Sequence, residues 1–221
     1  MASAIQFFGT LGVVASQSMN ALTIPSAVQI IRAKSTLAFQ SFPIIIALAN
    51  ALHSIAFAAV SANLFVMISS SITLFFNLVF LTVHLIYSKR RRQILLELVM
   101  YPLFFLFVSA FGLAFKAVDC TGNAFDCVKL SQNWLGFIST VISILCYCGQ
   151  LSAIRTVIAT KNASSISPWM TAGVGFRAVV WNVYAQLVED PFNFVSSSIG
   201  IASAITQIVL LNLFPSRSKH E

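Results

Sequence analysis

The chain has 221 residues, 58% of them apolar and 9% charged, with a formal net charge of +7 and a mean hydropathy of +0.88. A soluble domain carries about a quarter charged residues, so this composition excludes an ordinary soluble fold and indicates an integral membrane protein. The apolar runs are about 20 residues long rather than alternating ten-residue segments, which selects helices over a barrel.

In chain order, the hydropathy pattern predicts seven membrane helices, at about 5–31, 42–60, 63–87, 94–115, 132–158, 168–188 and 192–214. No basic n-region precedes the first span, so no cleavable signal is expected. Ten of the thirteen Lys and Arg residues fall at Arg32/Lys34, at 89–92, at Arg155/Lys161 and at Arg217/Lys219. These places lie between the spans, just beyond them or, for Arg155, in the last turn of one, and all on one side, whereas the opposite side carries two basic residues. The positive-inside rule puts that basic side in the cytosol, with the N-terminus external or lumenal. Clustering in short loops also argues against a nucleic-acid partner. The expected membrane is the plasma membrane or an endomembrane.

Two further expectations follow from this topology. Cys120 and Cys127 share one external loop, where they either form a disulfide or remain two thiols. The sequon Asn162-Ala163-Ser164 faces the cytosol and stays unglycosylated.

Polar residues inside the spans are the informative ones. Three consecutive serines occur at 69–71 and again at 196–198, 127 residues apart. At the same offset Lys34 meets Lys161, Phe57 meets Tyr184, Phe65 meets Phe192, Ile72 meets Ile199 and Leu81 meets Ile208. The first three spans are therefore a copy of the last three, and the fourth stands alone. Three crossings reverse the chain, so one extra span restores orientation and makes the repeats parallel. Ligand sites in such proteins lie near the bilayer midplane between repeats.

The stretches "IIRAKSTLAFQSFP" (30–43) and "LANALHSIAF" (48–57), then "QLSAIRTVIATK" (150–161), "VVWNVYAQLVEDPF" (179–192) and "ITQIVLLNLF" (205–214), resemble the two halves of the SWEET (MtN3/saliva) sugar-transporter family. The resemblance implies an all-α fold of two parallel triple-helix bundles joined by a linker helix, in a 3+1+3 order. It divides the chain into a first bundle at 1–88, a linker helix and external loop at 89–131, a second bundle at 132–214 and a cytosolic tail at 215–221. It implies energy-independent, bidirectional movement of mono- or disaccharides, and it allows a homo-oligomer. No cofactor is expected, and with no Ser/His/Asp constellation in a motif context the chain is not expected to be an enzyme.

Carried over position by position, the resemblance implies a pocket. The third and seventh spans each supply the family with an asparagine, and those positions fall on Ser70 and Ser197. The second and sixth spans supply Ser54 and Trp181, and the first and fifth supply Met19 and Cys146. External gate positions match Phe57, Tyr184 and Asp190. Four hinge prolines near the cytosolic gate map to Thr23, Pro43, Gln150 and Pro168. Pro43 matches cleanly, Pro168 stands one residue late, and Thr23 and Gln150 lack the proline, although Pro25 lies two residues beyond Thr23.

Each position has a plainer reading as well. The serines either bond sugar hydroxyls or pack helices. Trp181 either stacks on a pyranose or belongs to an interfacial belt. Arg177 lies one turn before Trp181, and its repeat mate is Asn50. It either contacts substrate, an anion included, or snorkels toward an interface. His53 reads as a core histidine, and Cys146-Tyr147-Cys148 reads as packing rather than a metal site. Pro43 and Pro168 either kink a helix or begin one.

The acids are Glu97, four external residues and Glu221, so none lies along a path between the bundles. That, with no nucleotide-binding motif, points to a uniporter. The rival expectations are a carrier of a small organic anion using Arg177 and a non-transporting ligand receptor on the same fold.

Overall fold

Backbone amides in hydrocarbon find no water, so each apolar run must satisfy its own hydrogen bonds, and helix is the way a single run does so. The computed structural model describes residues 1–36, 41–119, 124–163 and 166–214, with backbone alone for 112–119, 124–126 and 148–153. Among the described residues the chain forms α1 (Ala2–Ala21), α2 (Thr23–Ala33), α3 (Ser41–Val60), α4 (Leu64–Tyr87), α5 (Arg91–Asp119), α6 (Ala124–Thr160), α7 (Pro168–Leu187) and α8 (Pro191–Leu213). Five stretches among them are long and apolar enough to cross a membrane, in α3, α4, α5, α6 and α8.

These helices are the seven predicted spans with two corrections. The first span is broken at Leu22 into α1 and α2. Pro25, in the first turn of α2, has no N–H to give to the carbonyl of Ala21, so α1 cannot run on through it. Leu22 N instead reaches back to Met19 O at 3.2 Å, and Thr23 Oγ1 donates to Asn20 O at 2.7 Å. The fifth span begins at Ala124 rather than near residue 132, because the polar stretch "AFDCVKLS" continues the helix instead of forming a loop.

The repeat is written into the backbone at the same offset of 127 residues. Helices α3 and α7 start and stop at matching positions, as do the starts of α4 and α8 and the ends of α2 and α6. Among the described residues, four non-glycine residues have positive φ: Lys34 (48°) and its mate Lys161 (52°), Ala62 (53°) and its mate Glu189 (55°). A left-handed L-residue costs roughly 1–2 kcal/mol, so each pair marks a turn held in place by its surroundings. Helix entry repeats too. Asn63 Oδ1 accepts from Val66 N at 3.2 Å, and Asp190 Oδ1 accepts from Phe192 N and Asn193 N at 3.1 Å each. These are N-caps on equivalent helices.

The chain divides into two compact units, Ser16–Ser143 and Met1–Ala15 with Ile144–Glu221. In the first, Ile30, Ile44, Ile45, Phe80, Leu81 and Ile94 form a buried cluster from α2, α3, α4 and α5. In the second, Ile154, Val157, Ala163, Ile166 and Leu210 form another. There Ala163 N donates to Phe214 O at 3.1 Å, and the Lys161 ammonium lies 4.6 Å from the centre of the Phe214 ring. The repeat mates of one apolar pair of the first unit, Ile44 and Phe80, are Thr171 and Gln207, whose side chains hydrogen-bond at 2.8 Å.

Candidate functional site

In the unit Ser16–Ser143, polar side chains are presented at helical spacing. Asn50 and Ser54 lie one turn apart on α3, and Ser139 and Ser143 lie one turn apart on α6, so each pair shares a face. Ser143 Oγ donates to Asn50 Oδ1 at 3.0 Å, and the Ser54 and Ser139 hydroxyls stand 3.4 Å apart. Gln132 extends the ladder by donating to Val60 O at 2.9 Å. At the end of α1, Gln17 Nε2 donates to Ser69 O at 3.2 Å, and Asn20 Nδ2 donates to Thr73 Oγ1 at 2.8 Å. Met19 is half-buried in the same turn. Ser70 is half-buried on α4, and among the described residues its hydroxyl has no hydrogen-bond partner. Phe57, three residues beyond Ser54 on α3, is buried.

His53 belongs to packing. Its Nδ1 faces Ala49 O at 2.9 Å and its Nε2 faces Ser109 Oγ at 3.0 Å. The carbonyl can only accept, so Nδ1 carries the proton and Nε2 accepts from the serine. This bond ties α3 to α5, which Pro102 interrupts by offering no N–H to the carbonyl of Leu98.

In the other unit, the second serine triplet is arranged differently. Ser197 is buried, and its hydroxyl reaches the carbonyls of Asn193 (2.6 Å) and Phe194 (3.1 Å). It also receives Asn182 Nδ2 at 3.2 Å, and Ser198 Oγ receives the same nitrogen at 2.9 Å. Gln186 Nε2 in turn donates to Asn182 Oδ1 at 2.8 Å. The middle serine is thus engaged in holding α7 to α8, unlike Ser70.

Trp181 is half-buried, edge-on to the buried Tyr184 with ring centroids 5.4 Å apart. Its indole lies over Gly12 of α1, where a Cβ would come within 3.0 Å of the ring. Arg177 is half-buried one turn away, with no acceptor for its guanidinium among the described residues. Cys146 is a half-buried thiol outside any disulfide. Beside it, Tyr147 places its hydroxyl 2.6 Å from where a Cβ on Gly200 would sit. The repeat mates of that pair are Asn20 and Thr73, so the same helix contact is made by a hydrogen bond in one repeat and by a phenol over a glycine in the other.

The hinge and gate positions have local roles. Pro43 and Pro168 stand in the first turns of α3 and α7, where N–H groups have no intrahelical partner, so neither breaks a helix interior. The interruption falls at Leu22, beside Thr23. At Gln150 the helix α6 runs on without a break, and the side chain lies outside those described. Asp190 caps α8. Cys127 is disulfide-bonded, and Cys120 lies outside the described residues, as does Ser164 of the sequon.

Asn182, Gln17, Asn20, Ser139 and Ser143 were not singled out by the sequence. The signal for Asn182 was an amide next to Trp181 in an apolar run, but its repeat mate is Ile55, so the repeat did not point to it.

Chemically, this set consists of hydroxyls, amides and aromatic rings with one guanidinium, a set suited to hydroxyl-bearing ligands. Comparison with known proteins agrees. The chain is 26% identical over 229 residues to the bidirectional sugar transporter SWEET17 of Arabidopsis thaliana, covering 97% of this chain and 87% of that protein. It is 28% identical over 216 residues to the bidirectional sugar transporter SWEET12 of Oryza sativa subsp. japonica, covering 96% and 69%. A solved eukaryotic SWEET transporter has the same fold, with a TM-score of 0.79 at 20% identity over 97% of this chain and 98% of that one. One family model, described as "Sugar efflux transporter for intercellular exchange", matches residues 6–92 and again 133–219. Matched twice by that model, at the spacing seen in its own backbone, the chain belongs to the MtN3/saliva family of sugar efflux transporters.

Proposed function

We propose that this protein carries small neutral sugars, mono- or disaccharides, in both directions across a membrane as a uniporter working by alternating access. The observation that carries the reading is the family match over both halves of the chain, alongside relatives named bidirectional sugar transporters. In this reading the repeats are parallel bundles, 1–88 and 132–214, joined by the linker 89–131, and the substrate binds between them near the midplane. The tail 215–221 and the loops carrying Arg32/Lys34, 89–92 and Arg155/Lys161 face the cytosol, and the N-terminus faces outward.

On the first bundle, Asn50, Ser54, Met19 and Ser70 line the path, with Ser70 supplying an uncommitted hydroxyl. On the second, Trp181 offers its face to the sugar ring, Cys146 flanks it, and Ser197 contributes through Asn182. Arg177 sets a positive wall beside Trp181, which favours ligands rich in acceptor oxygens. Phe57 and Tyr184 close the outer end beside Asp190, and motion about Thr23, Pro43, Gln150 and Pro168 opens the inner one. A site that must release what it binds is expected to be weak.

The test is uptake of labelled glucose, sucrose and a monocarboxylate by proteoliposomes. Saturable movement of a sugar with no movement of the monocarboxylate is expected. Movement of the monocarboxylate alone would overturn the reading in favour of an anion carrier, and no uptake with specific peptide binding would favour a receptor.

A further inference from the structure

The four basic residues at 89–92 bridge the end of α4, a 24-residue apolar helix capped at Ser88, and the start of α5 at Arg91. They do not lie on a featureless surface. Within the unit Ser16–Ser143, the ends of α2 and α4 and the starts of α3 and α5 enclose a half-open cavity of about 430 Å³. Its wall carries two kinds of group. Lys89 and Arg90 supply cations on the open side. Deeper in the wall, Glu97 accepts from Ser41 Oγ and from Gln93 Nε2, both at 2.9 Å, and His84 is buried beside them. The first turns of α3 and α5 contribute Ser41, Phe42, Gln93 and Ile94 to the lining.

Of the four basic residues only two line the cavity. The Arg91 guanidinium donates to the carbonyl of Ile86, and Arg92 is exposed outside the lining. The basic run is therefore divided between a built recess and an open surface.

We propose that this cavity is a binding site for a phosphorylated polyol, with Lys89 and Arg90 taking the phosphates and Glu97, Ser41 and Gln93 taking the ring hydroxyls. A carboxylate accepts from sugar-type hydroxyls, whereas it would repel a bare phosphate, so the pairing of the two kinds of group selects a ligand that carries both. The shared chemistry has two sources. One is the headgroup of a phosphoinositide in the leaflet that the basic run meets, as juxtamembrane basic clusters recognise such lipids. The other is a soluble inositol or sugar phosphate. The site is separate from the transport pathway proposed above and does not depend on it.

The experiment measures binding to the full chain in nanodiscs of phosphatidylcholine, with phosphatidylinositol bisphosphate or phosphatidylserine added, and binding of soluble inositol trisphosphate. Tighter binding of the bisphosphate lipid than of phosphatidylserine is expected. Full competition by inositol trisphosphate identifies the soluble source, and weak competition identifies the lipid. Two double variants remove the same charge: Lys89→Gln with Arg90→Gln, and Arg91→Gln with Arg92→Gln. The first should weaken binding roughly tenfold or more, given two direct basic contacts, and the second by much less. Glu97→Gln should reduce the preference for the inositol headgroup over phosphatidylserine while leaving the thermal melting profile unchanged. Equal loss in the two double variants, or no preference for the inositol lipid, would overturn the proposal in favour of diffuse attraction to anionic membranes.

Discussion

Ser70 and Ser197 occupy equivalent positions and have different partners, and this difference can be measured. Ser70 has no hydrogen-bond partner among the described residues, whereas Ser197 sits between two backbone carbonyls and Asn182. Ser70→Ala should raise the KM for sugar with no change in melting temperature. Ser197→Ala should lower stability by about 0.5–1.5 kcal/mol, the net value of one hydrogen bond, as read by thermal unfolding in detergent. Equal effects of the two changes on stability would contradict this assignment. At Gly200, an added Cβ would meet the Tyr147 hydroxyl at 2.6 Å and the Ala178 Cβ at 3.1 Å. Gly200→Ala should cost about 1–3 kcal/mol through overpacking. Adding Tyr147→Phe, which removes the nearest atom, should restore part of that loss in a double-mutant cycle. Ser109→Ala strands the buried Nε2 of His53, with an expected cost of about 1–3 kcal/mol in the same melt.

The informative element is the first span. Its break at Leu22 has no counterpart in α6, which continues through the equivalent position as a helix of 37 residues. The two repeats thus differ at equivalent positions, with a jointed helix in one and a continuous helix in the other. Pro25→Ala restores an N–H that can bond to the carbonyl of Ala21, and should straighten the joint. Where the joint serves gating, the variant should show slower sugar exchange with little change in sugar affinity, measured by transport against direct binding. Unchanged exchange would confine Pro25 to a structural part. The sequence carried the helix limits well because one offset of 127 residues relates the two halves, so α3 and α7 could be checked against each other. It did not carry the start of α6, where Asp126 and Lys129 read as loop although Ala124, Phe125 and Leu130 extend the helix. Nor did it show the break at Leu22 as a break, since Pro25 stood two residues from the expected hinge.

For the whole molecule, the seven spans, the 127-residue repeat and the family were legible from hydropathy and short motifs, because burial in lipid and duplication both leave their mark on one-dimensional text. The partners of the polar side chains were not legible. The Asn50–Ser143 bond and the packing of Trp181 over Gly12 join residues far apart in sequence, the Asn182 amide crosses from α7 to α8, and nothing in a single chain announces such meetings. Nor was the grouping of Met1–Ala15 with the second half, which depends on where α1 packs rather than on what it resembles. The central claim is passive carriage of sugar, and a counterflow assay tests it most directly. Proteoliposomes loaded with unlabelled glucose or sucrose, with no pH difference and no membrane potential, are offered the labelled sugar. Labelled sugar should enter faster than into empty vesicles, leave faster when unlabelled sugar is outside, and never exceed equilibrium when external acid is added. Accumulation above equilibrium under a pH gradient, or no movement of either sugar, would contradict the account.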